Sequence, residues 1–239
     1  MYLSTKGIVL RSVKYSDTSL IVGIYTEEFG LQSYIIKGIR SKKSRMKTAL
    51  FQPLQMLDLT VSHRENKKIN HLKEAKTAYA FQSIPFDPVK RSVTIFLTEV
   101  LNRSIKENVA DRNLFHWLWQ SLTWYDLNRE KSTDFHLVFM MQLTRFLGFF
   151  PKKPDADIGR YFDLMEGSFQ NSEPPHPHYV SGEAVQLFRL IAGSSFNDLS
   201  EMSLTRDERR KILDYLTDYY RLHVENFGEM KSPEVLREL

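Results

Sequence analysis

The chain contains no cysteine, which excludes disulfides, thiolate-ligated zinc, iron–sulfur clusters and thiol nucleophiles together. No apolar run approaches the roughly 20 residues needed to cross a bilayer. Near the amino terminus a four-residue apolar run lies between Lys6 and Arg11. That run is too short for the core of a secretory signal, so the expectation is a soluble, cytoplasmic protein. Several catalytic signatures are also missing: a glycine-rich phosphate loop, G-x-S-x-G, H-E-x-x-H, and H-x-E with a cysteine pair. Neither a cofactor nor a catalytic residue is therefore expected.

What is present is a chain of 239 residues, 42% apolar and 26% charged, the balance of a folded protein rather than a disordered one. Its formal charge of +4 is unevenly spread. Residues 1–80 carry 14 Lys and Arg against 6 Asp and Glu, and residues 81–239 carry 19 against 23. A basic first third on an acidic remainder suits a chain in which one part meets a polyanion and the other does not.

Hydropathy divides the chain at about the same place. Gly7 to Val13, Leu20 to Tyr25, Leu31 to Lys37, Leu54 to Val61 and Ile69 to Ala75 are short runs of β-branched and alternating residues separated by turns, and each is predicted to be a strand. Five strands in so short a stretch predict a small closed barrel of the OB type, because closure removes exposed edges. From about Phe81 the period lengthens. Helices are predicted over Val89–Leu101, Leu114–Leu127, Phe135–Phe146, Ala184–Ile191 (entered through Ser181), and from the Thr205/Glu208 capping box to Gly228. A final turn is predicted at Ser232-Pro233-Glu234. Between 148 and 180, five prolines predict an irregular insert in which Tyr161–Leu164 and Gly167–Phe169 could pair. The expected organisation is a small OB-type barrel over 1–80, the part suited to a polyanion, followed by a helical domain over 81–239.

The basic stretch is Lys37, Arg40, Lys42, Lys43, Arg45 and Lys47, six cations in eleven residues with no acid among them. It follows the third strand, and Arg11 and Lys14 lie on the first. Such a loop at a barrel mouth, flanked by small serines, suits phosphate binding by counterion release, blind to base sequence. Tyr15, between Lys14 and the Ser16-Asp17-Thr18 turn, is the aromatic best placed for a base to stack on. Two further readings use other features. Asp155 and Asp157 could hold magnesium in a structure-specific nuclease, and the basic third could face an anionic membrane. His176 and His178 make at most two ligands of a metal site.

These residues also carry a resemblance. Lys6 to Leu10, Tyr15 to Leu20, Tyr25-Thr26 with Phe29-Gly30, Lys37 to Arg40 with Ser44-Arg45, and Leu50 to Pro53 resemble, in order and spacing, the amino-terminal domain of the bacterial RecO family of recombination mediators. Phe146 to Phe149, Tyr179 to Ser181 and Ser232 to Arg237 extend the likeness. It implies an OB-fold followed by a helical domain. It also implies binding of single- and double-stranded DNA, annealing of complementary strands, and help to RecA, with RecR, at DNA covered by single-stranded-DNA-binding protein. Many family members hold zinc through four cysteines, which this chain lacks. For a helical domain receiving the acidic tail of single-stranded-DNA-binding protein, candidate residues are Arg103, Lys106, Arg145, Phe146 and Phe149.

Overall fold

The structure is a computed structural model and describes residues 2–39, 46–63, 67–106, 109–129, 133–152 and 159–236. The first five strands are β1 (Leu3–Lys14), β2 (Leu20–Thr26), β3 (Gly30–Ile36), β4 (Met56–Ser62) and β5 (Asn70–Tyr79). They close into a barrel in the order β1-β2-β3-β5-β4, with β4 returning to β1. All pairings are antiparallel except the short β3–β5 contact at Tyr34–Asn70 and Ile35–His71.

The period-two pattern fills the interior. Val9, Val22, Ile24, Tyr34, Ile36, Leu57, Leu59 and Val61 pack there, with Leu72 and Ala75 from β5. At Gly7 an added methyl would sit 2.6 Å from side-chain methyls of both Ile24 and Leu59, so any side chain there would have to displace the core. Strand β2 differs from the half-buried expectation, since only Ile21 on it is not buried. The reason lies outside the barrel. Tyr25 packs on Phe115 at 6.2 Å and donates its hydroxyl to the Asp111 carbonyl, while Arg11 covers Gly23.

Two helices complete this part: α1 (Pro88–Ser104), capped by the Asp87 carboxylate on the Lys90 amide, and α2 (Arg112–Leu127). Asn102 donates to the Leu10 carbonyl at 2.5 Å, Arg112 meets Glu28 at 2.5 Å and His116 meets Glu27 at 2.8 Å. The three tryptophans of α2 are half-buried. Packing thus divides the chain into the units Met1–Leu127 and Asn128–Leu239, although the change from strands to helices falls near residue 81.

The second unit is built around α3 (Phe135–Leu147), whose residues from Phe135 to Met141 are all buried. Gly148, at φ 85°, ends it in the left-handed conformation that glycine adopts without strain. The stretch expected to be irregular carries a three-stranded sheet, β7-β6-β8, from β6 (Tyr161–Asp163), β7 (Ser168–Gln170) and β8 (Tyr179–Ser181). Phe162 anchors it against Phe169 at 4.7 Å and Phe188 at 4.5 Å. Helix α4 (Glu183–Gly193) starts after Gly182 rather than Ser181. Helix α5 (Arg206–His223) has both hydrogen bonds of the Thr205/Glu208 capping box. It ends where Val224 turns extended, four residues before the expected stop at Gly228. Pro233–Leu236 forms the short α6. Among the described residues no helix is long and apolar enough to cross a membrane.

Candidate nucleic-acid interface

Strand register brings two of the barrel's basic residues, Lys14 and Lys37, to one end. Lys14 pairs with Leu20, and Leu20 with Ile36, so Lys14 and the exposed Lys37 stand on or beside the same rung. The β1–β2 hairpin turns through Tyr15 and Ser16, whose amides both donate to the Ser19 carbonyl. Tyr15 is 64% exposed, whereas Tyr25, Tyr34 and Phe51 are in the core. Lys14 reaches the fully exposed Asp17 at 3.2 Å, a pairing that solvent weakens.

The hairpin tip and the start of the basic stretch are joined directly. The Ile39 amide donates to the Thr18 carbonyl at 2.9 Å, just after Gly38 takes φ 69° to turn the chain. Ile39 is 3% exposed and belongs to the barrel core, against which Met46 also packs. Lys47 is exposed before the 3-10 turn Thr48–Phe51. Arg40, Lys42, Lys43 and Arg45 lie outside the described residues, as do Asp155 and Asp157. Arg11 lies along the barrel wall and donates to Ser33 Oγ at 3.3 Å. Ser33 was not legible as a partner, because 22 residues separate the two.

The residues expected to receive a partner peptide fall in both units. In the first, Arg103 is held by Glu99 at 2.8 Å on α1, and Lys106 is exposed just beyond that helix. In the second, Arg145 lies over the Phe150 ring at 3.5 Å and donates to Gln142. Phe146 is half-buried. Phe149 packs against Tyr219, Tyr220 and His223, and its carbonyl accepts the Tyr219 hydroxyl. A basic feature not singled out from the sequence is the trio Arg206, Arg209 and Arg210 beside Leu213, Pro233 and Leu236, around a slot of about 20 Å³. Its signal was the i, i+3, i+4 spacing that puts all three arginines on one helical face.

Comparison with known proteins bears on these features. The sequence model for "Recombination protein O N terminal" matches residues 1–81, and that for "Recombination protein O C terminal" matches residues 85–233. The chain belongs to the RecO family. A DNA repair protein RecO from Phocaeicola vulgatus is 38% identical over 239 residues, covering 100% of this chain and 99% of the relative. One from Bacteroides fragilis is 39% identical over 244 residues with the same coverage, and one from Porphyromonas gingivalis is 31% identical over 243. The two matches meet at residues 81–85, where this chain changes from strands to helices.

The four-thiolate zinc of many family members does not fit the residues present. There is no cysteine, and no group of three or more potential ligands occurs among the described residues. Asp163 already accepts the amides of Met165 at 2.8 Å and Glu166 at 3.0 Å, and His176 lies 3.2 Å from its other oxygen. In this chain that carboxylate closes the β6–β7 turn and the phenylalanine cluster fills the space beneath the sheet.

Proposed function

We propose that the protein is a non-catalytic recombination mediator that binds single- and double-stranded DNA and anneals complementary strands. The observation that carries this reading is the 2.9 Å bond from Ile39 to Thr18, which ties the hairpin of Lys14 and Tyr15 to the start of the basic stretch. Arg11, Lys14, Lys37, Arg40, Lys42, Lys43, Arg45 and Lys47 are the proposed phosphate contacts, and Tyr15 a stacking ring. Cations from two neighbouring segments screen the phosphates of both strands, lowering the repulsion that slows their meeting. Binding is assigned to residues 1–80 and partner contacts to 81–239.

The proposed setting is the cytoplasm, on nucleoid DNA, acting with RecR to help RecA onto strands covered by single-stranded-DNA-binding protein. Family membership supports that placement. The tail of the latter protein is acidic and ends in an apolar residue with a free carboxylate. It suits cations beside aromatic rings, as at Arg145 with Phe146 and Phe149, or at Arg103 and Lys106. The test is annealing of fluorescently labelled complementary strands, bare and coated with single-stranded-DNA-binding protein. Acceleration of both supports the reading. Failure to accelerate bare strands overturns it, and magnesium-dependent cleavage would favour the nuclease.

A further inference from the structure

Strand β1 changes face part-way along its length. Val9 pairs with Ile24 but Arg11 pairs with Gly23, leaving Leu10 as an extra residue in a bulge. Val9 faces the core, and strict alternation would turn Arg11 inward as well. The extra residue reverses that parity, as bulges do, and Arg11 comes out on the barrel wall, exposed. There it crosses β2 above Gly23 to reach Ser33 on β3, along the rung Arg11–Gly23–Ser33.

Gly23 makes that crossing possible. A methyl at this position would lie 2.7 Å from both Cγ and Nε of Arg11 and 3.2 Å from Cδ. Glycine is used here for close approach, with the arginine stem seated on bare backbone. The neighbouring outward rung is Val13–Ile21–Ile35. Val13 is 58% exposed, and the two isoleucines are half-buried. The Arg11 guanidinium, tethered to Ser33 by its hydrogen bond, therefore borders a strip of open aliphatic surface, with Lys14 and Tyr15 beyond it.

We propose that this wall seats the unpaired bases of single-stranded DNA, and that Gly23 is the positioning residue that holds Arg11 flat for a base to stack on. The proposal rests on the DNA-binding reading and deepens it. Phosphates are met by the cations at the barrel end, to whose charge Arg11 adds its own, and bases by the face of the Arg11 guanidinium and the aliphatic strip. An aliphatic strip offers nothing to phosphate, whereas it and a guanidinium face accept any base without reading its edge. The strip's position beside the basic end matches the polarity of a single strand, apolar on one side and anionic on the other.

The test uses the full chain and two oligonucleotides of equal length and equal phosphate number, one of thymidines and one of stable abasic sites. The parent is expected to bind the thymidine strand at least about fivefold more tightly, since one stacked base supplies about that much or more. Arg11→Ala and Gly23→Ala should each bring this ratio toward one, and the double variant should lower it no further than either alone. Equal binding of the two strands by the parent overturns the proposal and leaves the phosphate-binding reading intact; binding of neither overturns both. A ratio unchanged by Arg11→Ala, or reductions that add in the double variant, also overturns it. Arg11 is flexible enough to yield to a methyl at 23, so Gly23→Ala is expected to fold. Should it not, Ser33→Ala replaces it in the same cycle with the same outcomes.

Discussion

Ile39 donates its amide to the carbonyl of Thr18 across 2.9 Å, and its side chain is at the same time sealed in the barrel core. One residue thus fixes both the hairpin tip and the chain leading into the basic stretch. The affinity of this end for DNA should then be electrostatic and blind to base sequence. Replacing Lys42, Lys43 and Arg45 together with alanine is expected to weaken duplex binding similarly for unrelated sequences. The logarithmic salt slope should flatten by about 0.9 for each phosphate no longer neutralised, or about 0.7 on single strands. Fluorescence anisotropy across a salt series reads this directly, and an unchanged slope places the binding surface elsewhere.

A second prediction concerns the link between barrel and helices. Asp126, 1% exposed at the end of α2, accepts the amides of Gln82, Ser83 and Ile84 at 2.7, 2.8 and 2.9 Å and the Tyr79 hydroxyl at 2.9 Å. Lys90 Nζ donates to the adjoining carbonyls of Tyr125 and Asp126. Burial works against the charged carboxylate, but the three amides and the tyrosine outweigh it and hold the Asp126 carboxyl below its usual range. Its contribution is therefore complete above the unfolded value near 4 and is lost only as pH falls through the lower folded value. Asp126→Ala strands the buried Ile84 amide and the part-buried amides of Gln82 and Ser83 and should cost about 2 to 3 kcal/mol at pH 7, measured by urea unfolding with tryptophan fluorescence. A loss under about 1 kcal/mol would show that the linker is held by packing alone.

How much of this was legible depends on the range of the interactions involved. The five barrel strands were readable because each is a local alternation of apolar residues, and the basic stretch because charge needs no partner to be seen. Arg11 illustrates what was not. Its outward position depends on the bulge at Leu10 and its fixed geometry on Gly23 and Ser33, which belong to other strands. A glycine inside a strand pattern is consistent with close approach of another group but does not say what approaches. Strand β8 was missed because three residues next to a proline-rich run give no periodicity; its pairing with β6 is what makes it a strand. Helix α5 stops at His223 although the apolar stripe runs on to Val224, so periodicity overshot a terminus that backbone geometry sets.

Metal removal supplies a third prediction. With Asp163 engaged by two amides and by His176, the β6–β7 turn needs no ion to hold it. Exhaustive chelation should leave both the melting temperature and annealing rate unchanged, since a structural zinc would contribute directly to folding. Elemental analysis showing one equivalent of bound metal, together with unfolding on chelation, would refute this.

The last prediction is an acid sensitivity in the second unit. His136 is completely buried in α3, and burial, followed by the charge of Arg209, pushes its imidazole down to about 3 against the opposing pull of the Thr133 backbone. Arg209 is fixed there by Asp134 at 2.6 Å and by the Thr133 hydroxyl at 3.1 Å. The folded chain therefore keeps His136 neutral while the unfolded chain protonates it below about 6.5. Protons favour the unfolded state throughout that window, and stability falls as pH drops from about 6.5 toward 3. The slope from this one group is about 1.4 kcal/mol per pH unit, or about 2 kcal/mol between pH 6.5 and 5. His136→Gln removes the titration while retaining Asp134 and Arg209, so the difference between parent and variant isolates it. Hydrogen exchange of the α3 amides, corrected for intrinsic rates, should show the parent losing about 2 kcal/mol more protection than the variant over that interval. Parallel losses in the two proteins would mean that the acid sensitivity of this unit comes from other groups.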